Sequence, residues 1–406
     1  MKKIFLITTP KITTLINSFY YIIAIYIYIY QPPVINKLYY IVFEILIFCL
    51  FLPLKRKFTS SFVKTFYFEI KILMLIIFIS ILRDIASGEM IYSDRFLAWG
   101  FQAFLFPVFI IYILNKVELD LIELTYWASF IGAIITTILI LFPSIDNFYK
   151  TMQVDFYYDL FERFDVRHRA YGIAENLSFT YGLLMGVFAG YSLMMIRDNI
   201  LFFIPTILFL VAVAFNARIG FFAIIPFIYF IATSLSIGRF IKYLVLSLII
   251  FLFFDQLQEI IQEKAIWASA FFQEIYDFFS GKESATIDLM INDFIVLPDT
   301  FSQFLIGRGE SLFLSETKNS DIGFILQLNY AGVFFLAVII LMILSTSRRL
   351  LDQLGCLHWY SHVFIVSILL MNTKGFAFAA TPGGRFFFLI YCYLIYQKNN
   401  SSKSYV

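Results

Sequence analysis

The sequence predicts an all-α, polytopic integral membrane protein of about twelve transmembrane helices, with one long outer loop that contains amphipathic helices. Three observations carry that expectation. The chain is 61% hydrophobic and only 14% charged, with a mean hydropathy of +0.84. Its apolar residues fall in runs close to the roughly 20 residues that a helix needs to cross a bilayer core of about 30 Å. Lys and Arg recur in alternate short connections between those runs.

Composition narrows the class further. Phe supplies 52 residues and Tyr 26, a load that a lipid-facing surface tolerates and a water-facing one does not. The formal net charge of +2 suggests no nucleic-acid partner. Cys49, Cys356 and Cys392 match neither a CxxC metal site nor a disulfide framework. The basic start MKKIFLITTPKITTLINSFYYIIAIYIYIY has no small-residue cleavage site after its apolar run, so it reads as a retained first span.

In order, the expected spans run near 12–30, 38–54, 66–83, 96–114, 121–142, 174–196, 200–216, 219–236, 240–254, 322–345, 358–372 and 384–397. The last is short, and a tight turn at FNARIG should split the 200–236 region in two. With the N-terminus inside, the cytoplasmic loops carry Lys55-Arg56-Lys57 with Lys64, then Lys116, Arg197, Arg239 with Lys242, and Arg348-Arg349; the tail adds Lys398 and Lys403. The positive-inside rule then places both termini in the cytoplasm. No internal repeat is visible, and residues 1–406 read as a single membrane-embedded domain.

Two outer segments stand out within it, 143–173 and 255–321. In the longer one, Trp267, Phe271, Ile275 and Phe278 recur at helical spacing with acidic and amide residues between them. That pattern suits an amphipathic helix at the outer interface or packed on the protein's own surface.

The shorter segment holds RFDVRHRAYG, in which Arg163, Arg167, His168 and Arg169 cluster at the mouth of the sixth span. A guanidinium fork suits multidentate binding of phosphate oxygens. The bland alternative is pairing with Glu162, Asp165 or lipid headgroups. Arg218, in the apolar turn FNARIGFF, is either a functional cation or one that snorkels to headgroups. Gly307 and Gly309 bracket Arg308 in an expected turn, whose GRG lacks the Walker spacing of a phosphate loop.

Asp321 stands at the outer mouth of the tenth span, as a helix N-cap or as a general base. Lys374 and Arg385 flank the last outer turn and read first as interfacial anchors and second as ligands. Glu44 and Glu175 are intramembrane carboxylates of the kind that proton-coupled carriers use, although Glu175 could simply pair with a nearby arginine. His358 and His362 lie four apart with no third ligand in view, so neither a metal nor any other cofactor is expected.

The order of these features resembles the O-antigen and capsular polysaccharide polymerases of the Wzy type, which are related to the O-antigen ligases. The resemblance rests on an outer Arg followed by Tyr-Gly and Glu-Asn entering a helix, the ARIG turn, and a long loop ending in GRG…SDIGFILQLNYAG. Ligases carry a histidine eleven residues before a glycine in the helix after that loop; here Asp321 stands eleven residues before Gly332. That departure favours a polymerase.

The resemblance implies a lipid-linked glycosyltransferase at the periplasmic face of the bacterial inner membrane. Its donor would be a polysaccharide on undecaprenyl diphosphate and its acceptor a new lipid-linked repeat unit. Arg218, Arg167, Arg169 and Arg308 would bind the diphosphate, with Arg163, His168, Glu175, Lys374 and Arg385 as secondary candidates. Asp321 would take the acceptor's proton, with Arg218 as its catalytic cation. A chain-length regulator and a flippase of the same pathway are the implied protein partners. The rivals are a flippase or other carrier, and a ligase.

Overall fold

The computed structural model describes residues 16, 18–152, 172–174, 179–217, 219–233, 294–312, 320–356 and 358–401. Among these residues every regular element is helical and none is a strand. The chain opens with α1 (Phe19–Tyr30), α2 (Lys37–Leu54), α3 (Arg56–Thr65) and α4 (Tyr67–Ser87). Next come α5 (Ser93–Gly100), a π-helical turn (Phe101–Leu105), α6 (Pro107–Val117), α7 (Leu121–Leu141) and α8 (Pro143–Thr151). Then follow α9 (Thr180–Met195), α10 (Phe203–Asn216), α11 (Ile219–Phe222) and α12 (Ile225–Thr233). The described chain ends with α13 (Phe301–Ile306), α14 (Gly323–Leu354), α15 (Trp359–Thr373) and α16 (Pro382–Ser401).

Among the described residues, four helical stretches are long and apolar enough to cross a membrane: Lys37–Leu54, Ser93–Val117, Leu121–Leu141 and Gly323–Leu354. Counting α3 and α4, bent by 81°, as one broken span makes five. Shorter apolar helices occupy several other expected spans, and 240–254 lies outside the described residues. The protein is therefore an all-helical, membrane-embedded chain, with four to five full-length spans among the described residues where the sequence suggests about twelve. The physical reason is interruption, because turns and kinks cut several apolar runs below spanning length. The exterior of α2 supports immersion in lipid. Only 11% of it is buried, and Phe43 and Leu50 project outward. Water would not tolerate such a face.

The chain clusters into two compact units, Met1–Lys37 with Ile122–Lys282 and Leu38–Leu121 with Glu283–Val406. In the first, α9 is buried along almost its whole length. Gly182, Gly186 and Gly190 line one of its edges at four-residue spacing. A Cβ on Gly186 would sit 1.9 Å from the carbonyl oxygen of Gly220, and one on Gly190 would sit 2.3 Å from the Phe227 ring. Small residues at this spacing let helices approach closely where no hydrophobic effect drives them together. The expected split at FNARIG is present: α10 ends at Asn216, Ala217 is extended (φ −158°), and α11 begins at Ile219.

In the second unit, Pro107 lies inside the Ser93–Val117 span. Its missing N–H and its ring are incompatible with an unbroken α-helical ladder. The turn before it widens instead, and the Phe106 N–H reaches the Phe101 carbonyl at 2.9 Å. Such π turns are frequent at functional positions. Trp99 is fully buried here among Phe104, Phe378 and Phe388.

Candidate functional site

The helix α14 is broken. Ala331 (φ −135°) and Gly332 (φ 79°, ψ −177°) leave the helical region and free the carbonyls before them. A Cβ on Gly332 would lie 2.1 Å from the Leu305 oxygen, so geometry and space both demand glycine. The freed Asn329 carbonyl accepts from the Arg308 N–H at 2.6 Å and the Tyr330 carbonyl from the Gly309 N–H at 3.2 Å. Arg83 donates from Nε to the Tyr330 oxygen and from Nη2 to the Gly307 oxygen, each at 3.0 Å. Gly307 (φ 79°) and Gly309 (φ 74°) make the expected turn around Arg308, and that turn plugs the break. Irregular backbone at membrane depth survives only where such partners are supplied.

The plug is braced from behind. The Tyr330 hydroxyl donates to Asp84 Oδ1 at 2.5 Å, and the Ser93 N–H donates to Asp84 Oδ2 at 2.9 Å. The Tyr92 hydroxyl meets the Ser311 hydroxyl at 2.7 Å. Burial pushes the Tyr92 phenol above its ordinary value, so it remains a protonated partner. The Arg308 side chain, only 8% exposed, ties the same loop to itself through Asp299 Oδ2 at 3.0 Å and the Leu297 oxygen at 2.8 Å. Its Nε–H is buried with no acceptor among the described residues.

Asp321 lies at the mouth of the first half of α14. Its Oδ2 accepts from Lys374 Nζ at 3.2 Å, with the two side chains 28% and 48% exposed. Packing explains the pairing. Gly323 lies so close to the loop after α15 that a Cβ would sit 1.8 Å from the Gly375 oxygen. One turn on, Gln327 and Asn372 exchange amide hydrogen bonds of 2.9 and 3.3 Å while fully buried. The N-cap reading of Asp321 is corrected: the cap position is Ile322, whose N–H is met by the Ser320 hydroxyl at 3.2 Å. The backbone turns one residue too late for Asp321 to cap.

Arg385 needs a second correction. It is no interfacial anchor but fully buried, donating from Nη1 to the Ala380 oxygen at 2.6 Å and towards Gln102 Oε1 at 3.4 Å. Gln102, on the π turn, in turn donates from Nε2 to Glu44 Oε2 at 2.7 Å. The buried segment 377–380 carries the last turn inward, which is why a residue expected at the surface ends in the interior. Glu44 lies near the middle of α2, so the charged groups of this chain do not all gather at one face.

His358 caps α15, its Nδ1 accepting from the Tyr360 N–H at 3.3 Å, and burial pushes it down to about 4. His362 Nε2 pairs with the Cys356 oxygen at 2.5 Å. Among the described residues no group of three or more His, Cys, Asp or Glu side chains could hold a metal ion.

Arg163, Arg167, His168, Arg169, Glu175 and Arg218 lie outside the described residues, as do Trp267, Phe271, Ile275 and Phe278. The described chain resumes directly after the arginine stretch. Gly172 (φ 121°) is buried beside Thr136 and Tyr181, and the next carbonyl, that of Ile173, accepts from the Tyr26 hydroxyl.

Of the candidates read from the sequence, the fold thus pairs Asp321 with Lys374, commits Arg308 to its own loop, and seals Arg385 with Gln102. Sequence reasoning missed Arg83, Gln102, Gln327 and Asn372. Pro107 inside a span and the amides of FILQLNYAG were the available signals. Chemically, the arrangement offers a partly exposed carboxylate just before the first half of α14, held beside an ammonium at the end of α15. No protein-family model, no curated protein and no solved structure matches this chain.

Proposed function

We propose that the protein is a lipid-linked glycosyltransferase that polymerises oligosaccharide repeat units at the periplasmic face of the bacterial inner membrane. In this reading both termini are cytoplasmic and the apolar helices form about twelve spans. The observation that supports it is Asp321 at the mouth of a broken apolar helix, a partly exposed carboxylate held beside Lys374. A general base must reach an incoming hydroxyl, and a carboxylate sealed in the interior could not.

The step balances without a redox partner. A hydroxyl oxygen of the new repeat unit attacks the anomeric carbon of the growing chain. The bond from that carbon to the undecaprenyl diphosphate oxygen breaks, and the hydroxyl proton passes to Asp321. Lys374 orients the carboxylate; the role of neutralising the departing diphosphate stays with the sequence candidates Arg218 and Arg167 or Arg169, which lie outside the described residues.

The test is a size ladder of surface polysaccharide from a deletion strain complemented with wild type or Asp321→Asn. The proposal expects single repeat units on the core in the deletion and in Asp321→Asn, and a full ladder with wild type. A full ladder from Asp321→Asn at equal protein level would remove Asp321 from the chemistry. Bare core with lipid-linked polymer accumulating would indicate a ligase.

One observation favours a second reading. Glu44, Gln102 and Arg385 form a buried polar chain inside the membrane-spanning helices, where carriers place their coupling groups. Bare core with single units trapped on the cytoplasmic side of the deletion strain would select that flippase reading.

A further inference from the structure

Between α2 and α4 the chain makes an elbow. The helix α3 turns 81° from α4 and divides its residues cleanly. Phe58 and Phe62 face inward, on Tyr112 and Tyr396, while Arg56, Lys57, Ser60 and Lys64 face out. A short amphipathic helix at the end of an apolar span lies along the membrane–water boundary.

Along its outer side runs a groove of about 620 Å³, lined by Leu52, Arg56, Thr59, Ser60, Val63, Lys64 and Tyr67. Three properties of this groove converge. Arg56, Ser60 and Lys64 are spaced four apart and share one helix face, so two cations flank a hydroxyl over about 12 Å of rise, within reach of one group between them. No acidic residue lines the groove, and neither cation has a carboxylate partner among the described residues. Of the remaining walls, Thr59 spends its hydroxyl on the Lys55 carbonyl, while Leu52, Val63 and Tyr67 are apolar or aromatic and continue onto the outward apolar face of α2. A free anion would use the cations and leave those walls idle. An amphiphile with an anionic head uses both.

We infer that this groove binds an anionic phospholipid of the bilayer, its phosphate held between Arg56 and Lys64 with the Ser60 hydroxyl, and its acyl chain laid over Leu52 and Val63. Guanidinium and ammonium groups near the surface attract anionic headgroups. The groove's walls add a fixed position that a diffuse basic patch lacks.

Native mass spectrometry of the purified full chain with phosphatidylglycerol or phosphatidylcholine tests this directly. Wild type is expected to retain phosphatidylglycerol in preference to phosphatidylcholine. The Arg56→Gln/Lys64→Gln double variant should bind it about thirtyfold more weakly, as expected for losing two headgroup cations. Val63→Trp, which fills the groove and leaves every charge in place, should also lose the lipid. Lys57→Gln/Lys116→Gln removes two cations that do not line the groove and should bind as wild type does.

Unchanged phosphatidylglycerol binding in both groove variants, with lipid-free melting also unchanged, would overturn the inference. Equal loss in the Lys57/Lys116 variant would overturn it too, in favour of diffuse attraction. Full displacement of the lipid by millimolar inorganic phosphate would make the site one for free phosphate. None of these readouts depends on glycosyl transfer.

Discussion

Two polar assemblies in the same unit make opposite use of charge. Glu44, Gln102 and Arg385 are sealed from solvent and linked through an amide, whereas Asp321 and Lys374 meet half in the open with no intermediary. Removing a charge from water costs several kcal/mol unless partners replace the lost hydration. The sealed group therefore has to be complete, and its completeness leaves nothing to offer a substrate. The open pair contributes little to stability, because water competes for both partners. What it retains is access. In this protein, burial marks the polar groups that hold the fold, and exposure marks those available for chemistry.

The largest test of that contrast is Arg385→Met. It leaves Glu44 and Gln102 buried without their cation, and should cost about 3–5 kcal/mol. Thermal unfolding in detergent would read the loss, and adding Glu44→Leu should restore part of it. If Arg385→Met melts like wild type, the sealed assembly holds nothing.

His358 sharpens the contrast as a half-buried group with no carboxylate partner among the described residues, which persists by remaining neutral. Its folded pKa of about 4 lies below the ordinary 6.5, so the unfolded chain binds more protons between those values. The stability it contributes is complete above about pH 6.5 and is lost as the pH falls towards about 4, by at most about 3–4 kcal/mol. His358→Asn keeps a capping side chain that does not titrate. The melting curves of wild type and variant should therefore separate with pH in that window, and parallel curves would contradict the assignment.

The break in α14 is the next test. Gly332→Ala meets both a left-handed φ and the Leu305 carbonyl, and should cost about 2 kcal/mol or more. A silent Gly332→Ala would mean that the break relaxes freely. The smallest expected effect on stability is that of Asp321→Asn, below about 1 kcal/mol, because the pair it disrupts is half exposed. A large drop in melting temperature would move Asp321 to the structural side of the comparison. A small drop with complete loss of polymer would place it on the chemical side.

The sequence made the helices legible wherever apolar residues ran on, and it made two breaks legible as well. FNARIG announced the end of α10, and GRG announced the turn whose glycines both take positive φ. Other features depended on pairings far apart in the chain. Arg83 meets the Tyr330 carbonyl from 247 residues away, and Arg385 lies 283 residues from Gln102. No local pattern encodes such distances. Arg385 was misplaced because a polar residue beside a turn ordinarily faces solvent, and nothing in GFAFAATPGG says that the turn folds inward. Asp321 and Lys374 were each picked out separately; what brought them together was the bare Gly323, a residue whose role is visible only once its neighbour's carbonyl is in place.

The glycine edge of α9 has a consequence on another timescale. Gly182, Gly186 and Gly190 face atoms that a single methyl group would strike, and the contact at Gly186 is with backbone, which no rotamer change can move aside. Replacement at that position can succeed only together with a shift of the segment around Gly220. As copies of this gene diverge, those sites should change in concert or not at all, while the lipid-facing residues of α2 exchange freely among Leu, Ile, Phe and Val. The positions that would identify a distant descendant of this chain are thus its smallest residues.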